Sequence, residues 1–250
     1  MEQQTKSAPA GTGLSNKRIV VLGGSSGIGL AVAQQAAAQG AQVVIASSNA
    51  ERVQNALPTL GGAAEGRSVD LSNEKAIQKF FTSLGDFDHL VFTAGDSLNI
   101  SEIATADLEQ AHRAFDLRYW AALAAVKYGS PHIRQGGSIV LTTGLAGQRP
   151  HKGWAFGASV TSAVEGLTRA LAVELAPLRV NAVSPGVVRT SLWKNMTEQD
   201  RDAMYEQIGN KLLVRRVGEP EEIAHAYLYL MQEGYSTGQV IVVDGGGSLV

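Results

Sequence analysis

The apolar run Ile19-Val20-Val21-Leu22 meets the cluster Gly23-Gly24-Ser25-Ser26-Gly27-Ile28-Gly29 and passes straight into the helix-compatible stretch Leu30-Ala31-Val32. A strand that ends in glycine predicts a tight turn with positive φ, and a helix that opens on glycine lets its backbone come close to whatever lies at its end. Gly23, Gly27 and Gly29 stand at G-x-x-x-G-x-G spacing. That spacing suits a turn, an approach of main chain to a diphosphate, and close packing of helix on strand. The helix then directs its unpaired N–H groups and the positive end of its dipole at the phosphates. With 28 glycines in the chain, the spacing alone is also compatible with an ordinary turn. Context favours the dinucleotide reading: a second apolar run, Gln42 to Ala46, follows the stop at Gln39-Gly40-Ala41 and completes a βαβ unit.

The same alternation continues. Helical patterns are expected over Ala50 to Leu57, Asn73 to Leu84, Leu108 to about Tyr128, Val160 to Leu175 and Pro220 to Met231. Strands are expected over Gly66 to Val69, His89 to Phe92, Ser138 to Thr142, Arg179 to Val183 and Val240 to Val243. This order predicts an α/β chain, a single-domain Rossmann-type doubly wound parallel sheet with helices on both faces and right-handed crossovers. Residues 1–15 are polar and rich in small residues, and are expected to form a flexible tail ahead of a domain at 16–250 that carries a substrate loop at about 186–216.

Composition narrows the function. A net charge of −2 with dispersed lysines and arginines gives no footprint for nucleic acid. No apolar stretch approaches the roughly 20 residues of a membrane span, and the first residues lack an apolar signal core. A cytoplasmic protein acting on a small molecule is expected. The absence of cysteine excludes disulfides and thiolate catalysis, and His89, His112, His132, His151 and His225 are scattered without ligand spacing, so no metal site is expected.

Together these motifs identify the chain from about Lys17 to Gly246 as resembling the short-chain dehydrogenase/reductases. Gly23, Gly27 and Gly29 match the family's glycine loop, with Leu22 where threonine is usual, and Ser25, Ser26 and Ile28 lie within it. Asp70-Leu71 matches the pair beside the adenine, and Thr93-Ala94-Gly95 the end of an Asn-Asn-Ala-Gly segment. Pro185-Gly186, with Val188 and Thr190 after it, matches the turn that flanks the nicotinamide, and the Gly218 and Val243-Asp244-Gly245-Gly246 segments match C-terminal signatures. The resemblance also implies a homodimer or homotetramer built on the helices over Leu108 to Tyr128 and Val160 to Leu175.

The family's Asn, Ser, Tyr, Lys tetrad is missing. Its positions are read as Arg118, Gly144, Phe156 and Val160, and no tyrosine in the chain has a lysine four residues later. Phenylalanine neither stabilises nor protonates an oxyanion, and valine removes the ammonium that lowers a tyrosine pKa. Remaining polar candidates for catalysis are Arg118, Thr143 or its neighbour Thr142, and Tyr119, with His151 or Lys152 as a replacement acid. For Arg118 the alternatives are a clamp on an anionic or carbonyl substrate and a plain salt bridge. The second strand ends in Ser47-Ser48-Asn49 near Arg52, without the acidic residue that repels a 2′-phosphate, so NADP(H) is preferred and NAD(H) remains possible. Three functions follow: an oxidoreductase with a non-standard site, a catalytically dead cofactor-binding or scaffold protein, and a non-redox lyase or isomerase.

Overall fold

The computed structural model describes residues 13–62, 64–96 and 101–250. Seven strands form one parallel sheet: β1 Arg18–Leu22, β2 Gln42–Ser47, β3 Glu65–Ser68, β4 Phe87–Phe92, β5 Ile133–Thr142, β6 Arg179–Pro185 and β7 Val240–Val243, in the spatial order β3-β2-β1-β4-β5-β6-β7. The central strands alternate their side chains between two cores. Val20 and Leu22 of β1 face one, while Ile19 and Val21 face the other. A strand buried on both faces needs apolar residues at consecutive positions, which is why these strands read as unbroken runs.

Among the described residues eight α-helices connect the strands: α1 Gly27–Ala38, α2 Ala50–Ala56, α3 Glu74–Leu84, α4 Leu108–Phe115, α5 Ala121–Gly129, α6 Ala155–Glu174, α7 Glu198–Gly209 and α8 Pro220–Gln232. The first core joins α3, α5 and α6 to the sheet, and the second joins α1, α2 and α8. A third, smaller core of Trp193, Tyr205, Leu212 and Val217 lies under the segment between β6 and α8. The expected tail, 1–15, lies mostly outside the described residues. At its end Leu14 is buried in the second core, and the Asn16 N–H donates to the Gly40 carbonyl at 2.9 Å.

Two expectations change. The long helix over 108–128 is broken into α4 and α5 by a π-helical turn, Asp116–Trp120, which inserts one extra residue and rotates the phase of the apolar face. Leu108, at the start of α4, is 64% exposed. The loop at 186–216 contains α7, capped by the Thr197 hydroxyl, which accepts from the Asp200 N–H. Its polar face and low hydrophobic periodicity hid it in the sequence.

Candidate active site

Strand order reverses direction of growth between β1 and β4, and a cleft of about 850 Å³ opens at the carboxyl ends of the strands there. Its first half is built by the β1–α1 turn. Gly23 has φ +90°, and a Cβ on it would stand 2.6 Å from the Ala94 nitrogen. A Cβ on Gly29 would overlap the Thr93 hydroxyl and the Gly23 carbonyl. The turn is thus packed against the end of β4 with no space for a side chain.

At the end of this turn Ser26 is the N-cap of α1, yet its side chain makes no capping bond. By contrast, α2, α3, α4 and α7 are capped by Asn49, Asn73, Asp107 and Thr197. The α1 terminus therefore presents its N–H groups and dipole to the cleft. Gly23, Ser25, Ser26, Gly27, Ile28, Gly29, Ser47, Ser48, Asp70, Leu71, Ala94, Gly95, Pro185, Gly186, Val188 and Thr190 all line it. Asn49 does not. Its side-chain oxygen is spent on the Arg52 N–H at 2.8 Å as the cap of α2, and the Arg52 side chain lines the wall in its place.

The second half of the cleft departs further from expectation. Arg118 lines it from the middle of the π-helical turn and donates to the Asp96 carbonyl at 2.5 Å. Its guanidinium lies against Gly95, where a Cβ would be 2.8–3.0 Å from its terminal atoms. Burial pushes the Arg118 pKa down, opposed by the Asp96 charge, and an arginine so placed remains cationic at neutral pH. Tyr119 is turned off the cleft wall. It packs against the first core, edge-on to Trp120 with centroids 5.0 Å apart.

Helix α6 meets the cleft through Gly157 and Thr161, not through Phe156 and Val160. One residue is about 100° of helix, so an offset of one takes Val160 into full burial. Opposite this face, a Cβ on Gly144 would stand 3.3 Å from the Thr161 methyl, and one on Gly157 would be 3.9 Å from the Ala146 Cβ. This corner of the cleft is therefore lined by small groups.

Its hydroxyls are already engaged. Thr143 donates to the Thr161 carbonyl at 2.9 Å. Thr142 donates to the Phe92 carbonyl at 2.6 Å and sits 2.6 Å from the Tyr227 hydroxyl, whose pKa is driven up by complete burial. His151 lines the cleft beside Trp154, edge-on at 5.6 Å. Lys152 is instead paired with Glu102 at 2.7 Å and is off the wall. Asp244 also lines the cleft; burial raises its pKa, but bonds from the Ser248 hydroxyl and N–H and from the Gly246 N–H outweigh it and hold the carboxyl below its ordinary range. Sequence reasoning missed Gly157, Thr161 and Trp154 as wall residues because helix phase near a loop cannot be counted to one residue. Among the described residues no group of side chains is arranged to hold a metal ion, and no helix is long and apolar enough to cross a membrane.

Residues 23–248 match the family model described as enoyl-(acyl carrier protein) reductase. The short-chain dehydrogenase/reductase ATR9 of Stachybotrys chlorohalonatus is 38% identical over 252 aligned positions, spanning 94% of this chain and 98% of the relative. The chain belongs to the short-chain dehydrogenase/reductase family. Among solved structures of this family, a small-chain dehydrogenase in complex with NADPH is similar at a TM-score of 0.83 and 38% identity, covering 94% of this chain and 100% of that one. The MalC Reductase/Diels-Alderase from Malbranchea aurantiaca is similar at a TM-score of 0.88 and 31% identity, covering 95% and 98%. As a short-chain dehydrogenase/reductase, this chain belongs to a family of oxidoreductases. Its glycine turn, its Asp70-Leu71 pair and its Pro185-Gly186 turn all meet on one cleft wall.

Proposed function

We propose that the protein is an NADP(H)-dependent oxidoreductase whose active site works without the family's Asn, Ser, Tyr, Lys tetrad, and that Arg118 is its principal substrate-binding group. The observation that carries this reading is a nucleotide cradle joined to a cleft end where the buried Arg118 guanidinium shares the wall with Gly144, Gly157 and Thr161, and with the guanidinium groups of Arg113 and Arg149. The residues fit the nucleotide: the uncapped α1 terminus and the Gly23–Gly29 turn suit a diphosphate, and Ser47, Ser48 and Arg52 suit a 2′-phosphate. The NADPH complex of a 38% identical relative supports the same choice. When bound, NADP(H) supplies or takes up a hydride.

The protein's own groups then have limited chemistry. Gly144, Gly157 and Thr161 occupy the corner where the family's serine, tyrosine and lysine would act, and they supply neither phenol nor ammonium. Loss of a general acid costs about 10²–10⁴ in rate, so ordinary ketone reduction is expected to be negligible. The Arg118 guanidinium can polarise a substrate carbonyl or hold an anionic group, since the fork has five donors and one of them goes to the Asp96 carbonyl. Thr143 acts as an acceptor only, because its proton is held by Thr161. Exposed apolar side chains, Trp120 on the π-helical turn and Val173 on α6, support a homo-oligomer.

A second reading is a non-redox reaction in the same cleft. It is favoured by the name of MalC, a Reductase/Diels-Alderase. The test is turnover of a broad carbonyl and enone panel with NADPH, together with product analysis without nucleotide. Nucleotide-dependent conversion is expected. Conversion without nucleotide supports the second reading, and no conversion at all leaves a nucleotide-binding scaffold.

A further inference from the structure

Most basic side chains of the molecule have an acidic partner. Lys152, Arg189 and Arg216, for example, reach a glutamate at 2.7, 3.3 and 2.6 Å. Arg149, Lys194 and Lys211 line the cleft instead, and among the described residues none of the three pairs with a carboxylate. The whole chain carries a net charge of −2, so a basic wall here is not the overflow of a basic surface.

Two of these cations are brought to one place by the chain after β7. A Cβ on Gly247 would stand 3.0 Å from the Leu145 Cδ2 and 3.1 Å from the Leu212 Cδ2, so this residue is wedged between the turns that carry Arg149 and Lys211. Arg149 is half-buried and donates to the Ser248 carbonyl at 3.4 Å, which engages one donor of a five-donor fork. The carboxylate on the same wall, Asp244, accepts from the Gly246 and Ser248 N–H groups at 2.8 and 2.7 Å and serves to close that turn. Of the other carboxylates in this half, Asp96 acts on Arg118, and Asp116 lies one helical turn from Arg113.

We infer that Arg149 and Lys211 form a second anchor in the cleft, for a carboxylate or phosphate carried by the substrate, with Lys194 adding charge at the same mouth. The inference deepens the oxidoreductase reading above and rests on it: the nucleotide takes the half built by the glycine turn, Arg118 takes the reacting carbonyl, and a separate anionic head group goes to Arg149 and Lys211. The substrate class is therefore a carbonyl or enone compound with an acidic head group. A guanidinium fork together with an ammonium suits a carboxylate or a phosphate, and a neutral ester forfeits both contacts.

Calorimetry on the full chain tests this, with benzoate, phenyl phosphate and methyl benzoate as probes, each titrated with and without saturating NADP+. One of the two acids is expected to bind at least about tenfold more tightly than the ester, and the tighter of the two identifies the head group as carboxylate or phosphate. Arg149→Gln and Lys211→Gln should each weaken that acid by about tenfold, the loss of one charge-assisted hydrogen bond, and leave NADPH affinity within about twofold. Lys75→Gln, on the exposed side of α3, should change nothing and controls for bulk charge. Should Arg149→Gln fail to fold, Lys211→Gln carries the test on an exposed side chain. Equal affinity for acid and ester, no binding of either acid, or unchanged acid affinity in both variants would overturn the inference. Failure of NADPH to bind the wild type would instead overturn the nucleotide reading; acid binding that still depended on Arg149 and Lys211 would then leave the anion anchor standing without its oxidoreductase role.

Discussion

Glycine stands at both ends of the cleft, for opposite reasons. At the β1–α1 turn, Gly23 and Gly29 leave no room for one more carbon, since backbone atoms already occupy the place. At the other end, Gly157 has its nearest non-local neighbour 3.9 Å from where a Cβ would be, and Gly144 meets only a methyl at 3.3 Å. The first pair records a close approach of main chain that the proposed nucleotide site uses. In the second pair a Cβ would make ordinary contact at Gly157 and a close one, with a movable side-chain methyl, at Gly144. One residue type thus marks backbone overlap in one region and side-chain contact in the other, and only the neighbours distinguish them.

The largest expected effect lies at the tight end. Gly29→Trp places an indole where the Thr93 hydroxyl and Gly23 carbonyl already stand, and NADPH binding should fall below detection by calorimetry. Retained binding would break the contrast, because the turn would then tolerate what its geometry forbids. Circular dichroism of the variant separates local loss from unfolding.

A second effect concerns the floor of the sheet, away from both ends. Burial pushes the His89 pKa down to about 4, and its ring nitrogen sits 2.9 Å from the Ser138 hydroxyl. A depressed histidine pKa means that the fold favours the neutral ring. Its contribution is fully present above the ordinary value of about 6.5 and is lost as pH falls through 4, amounting to about 3 kcal/mol. Urea unfolding between pH 7 and 4 should show this loss, and His89→Gln should flatten the slope over that window. An unchanged slope would remove His89 as the cause.

A smaller change tests the nucleotide preference. Arg52→Ala should weaken NADPH by about tenfold relative to NADH, the value of one charge-assisted contact. Equal losses for both nucleotides would place the 2′-phosphate elsewhere.

The legibility of the sequence follows the same division. Strands such as β1 and β2 and the glycine turn could be read because a doubly buried strand must be apolar throughout and a tight turn demands glycine at fixed spacing. The Asn49 side chain was assigned to the cofactor because the end of a strand and the cap of the next helix share the same polar residues, and it serves α2 instead. Gly157 and Thr161 were missed in favour of Phe156 and Val160 because a rotation of one residue on α6 changes which side chains face the cleft. The π-helical turn that carries Arg118 leaves no distinct residue pattern.

The central claim is that nucleotide binding and chemistry have separated: the turn is intact, and Arg118 has taken over the substrate end. Measuring Arg118→Ala in parallel for NADPH affinity and for turnover of whichever substrate the wild-type protein converts tests this directly. The account predicts that turnover falls by about 10²-fold or more, the cost of removing one electrostatic donor, while the NADPH dissociation constant changes by less than about twofold. Full turnover in Arg118→Ala, or a parallel loss of nucleotide binding, would contradict it.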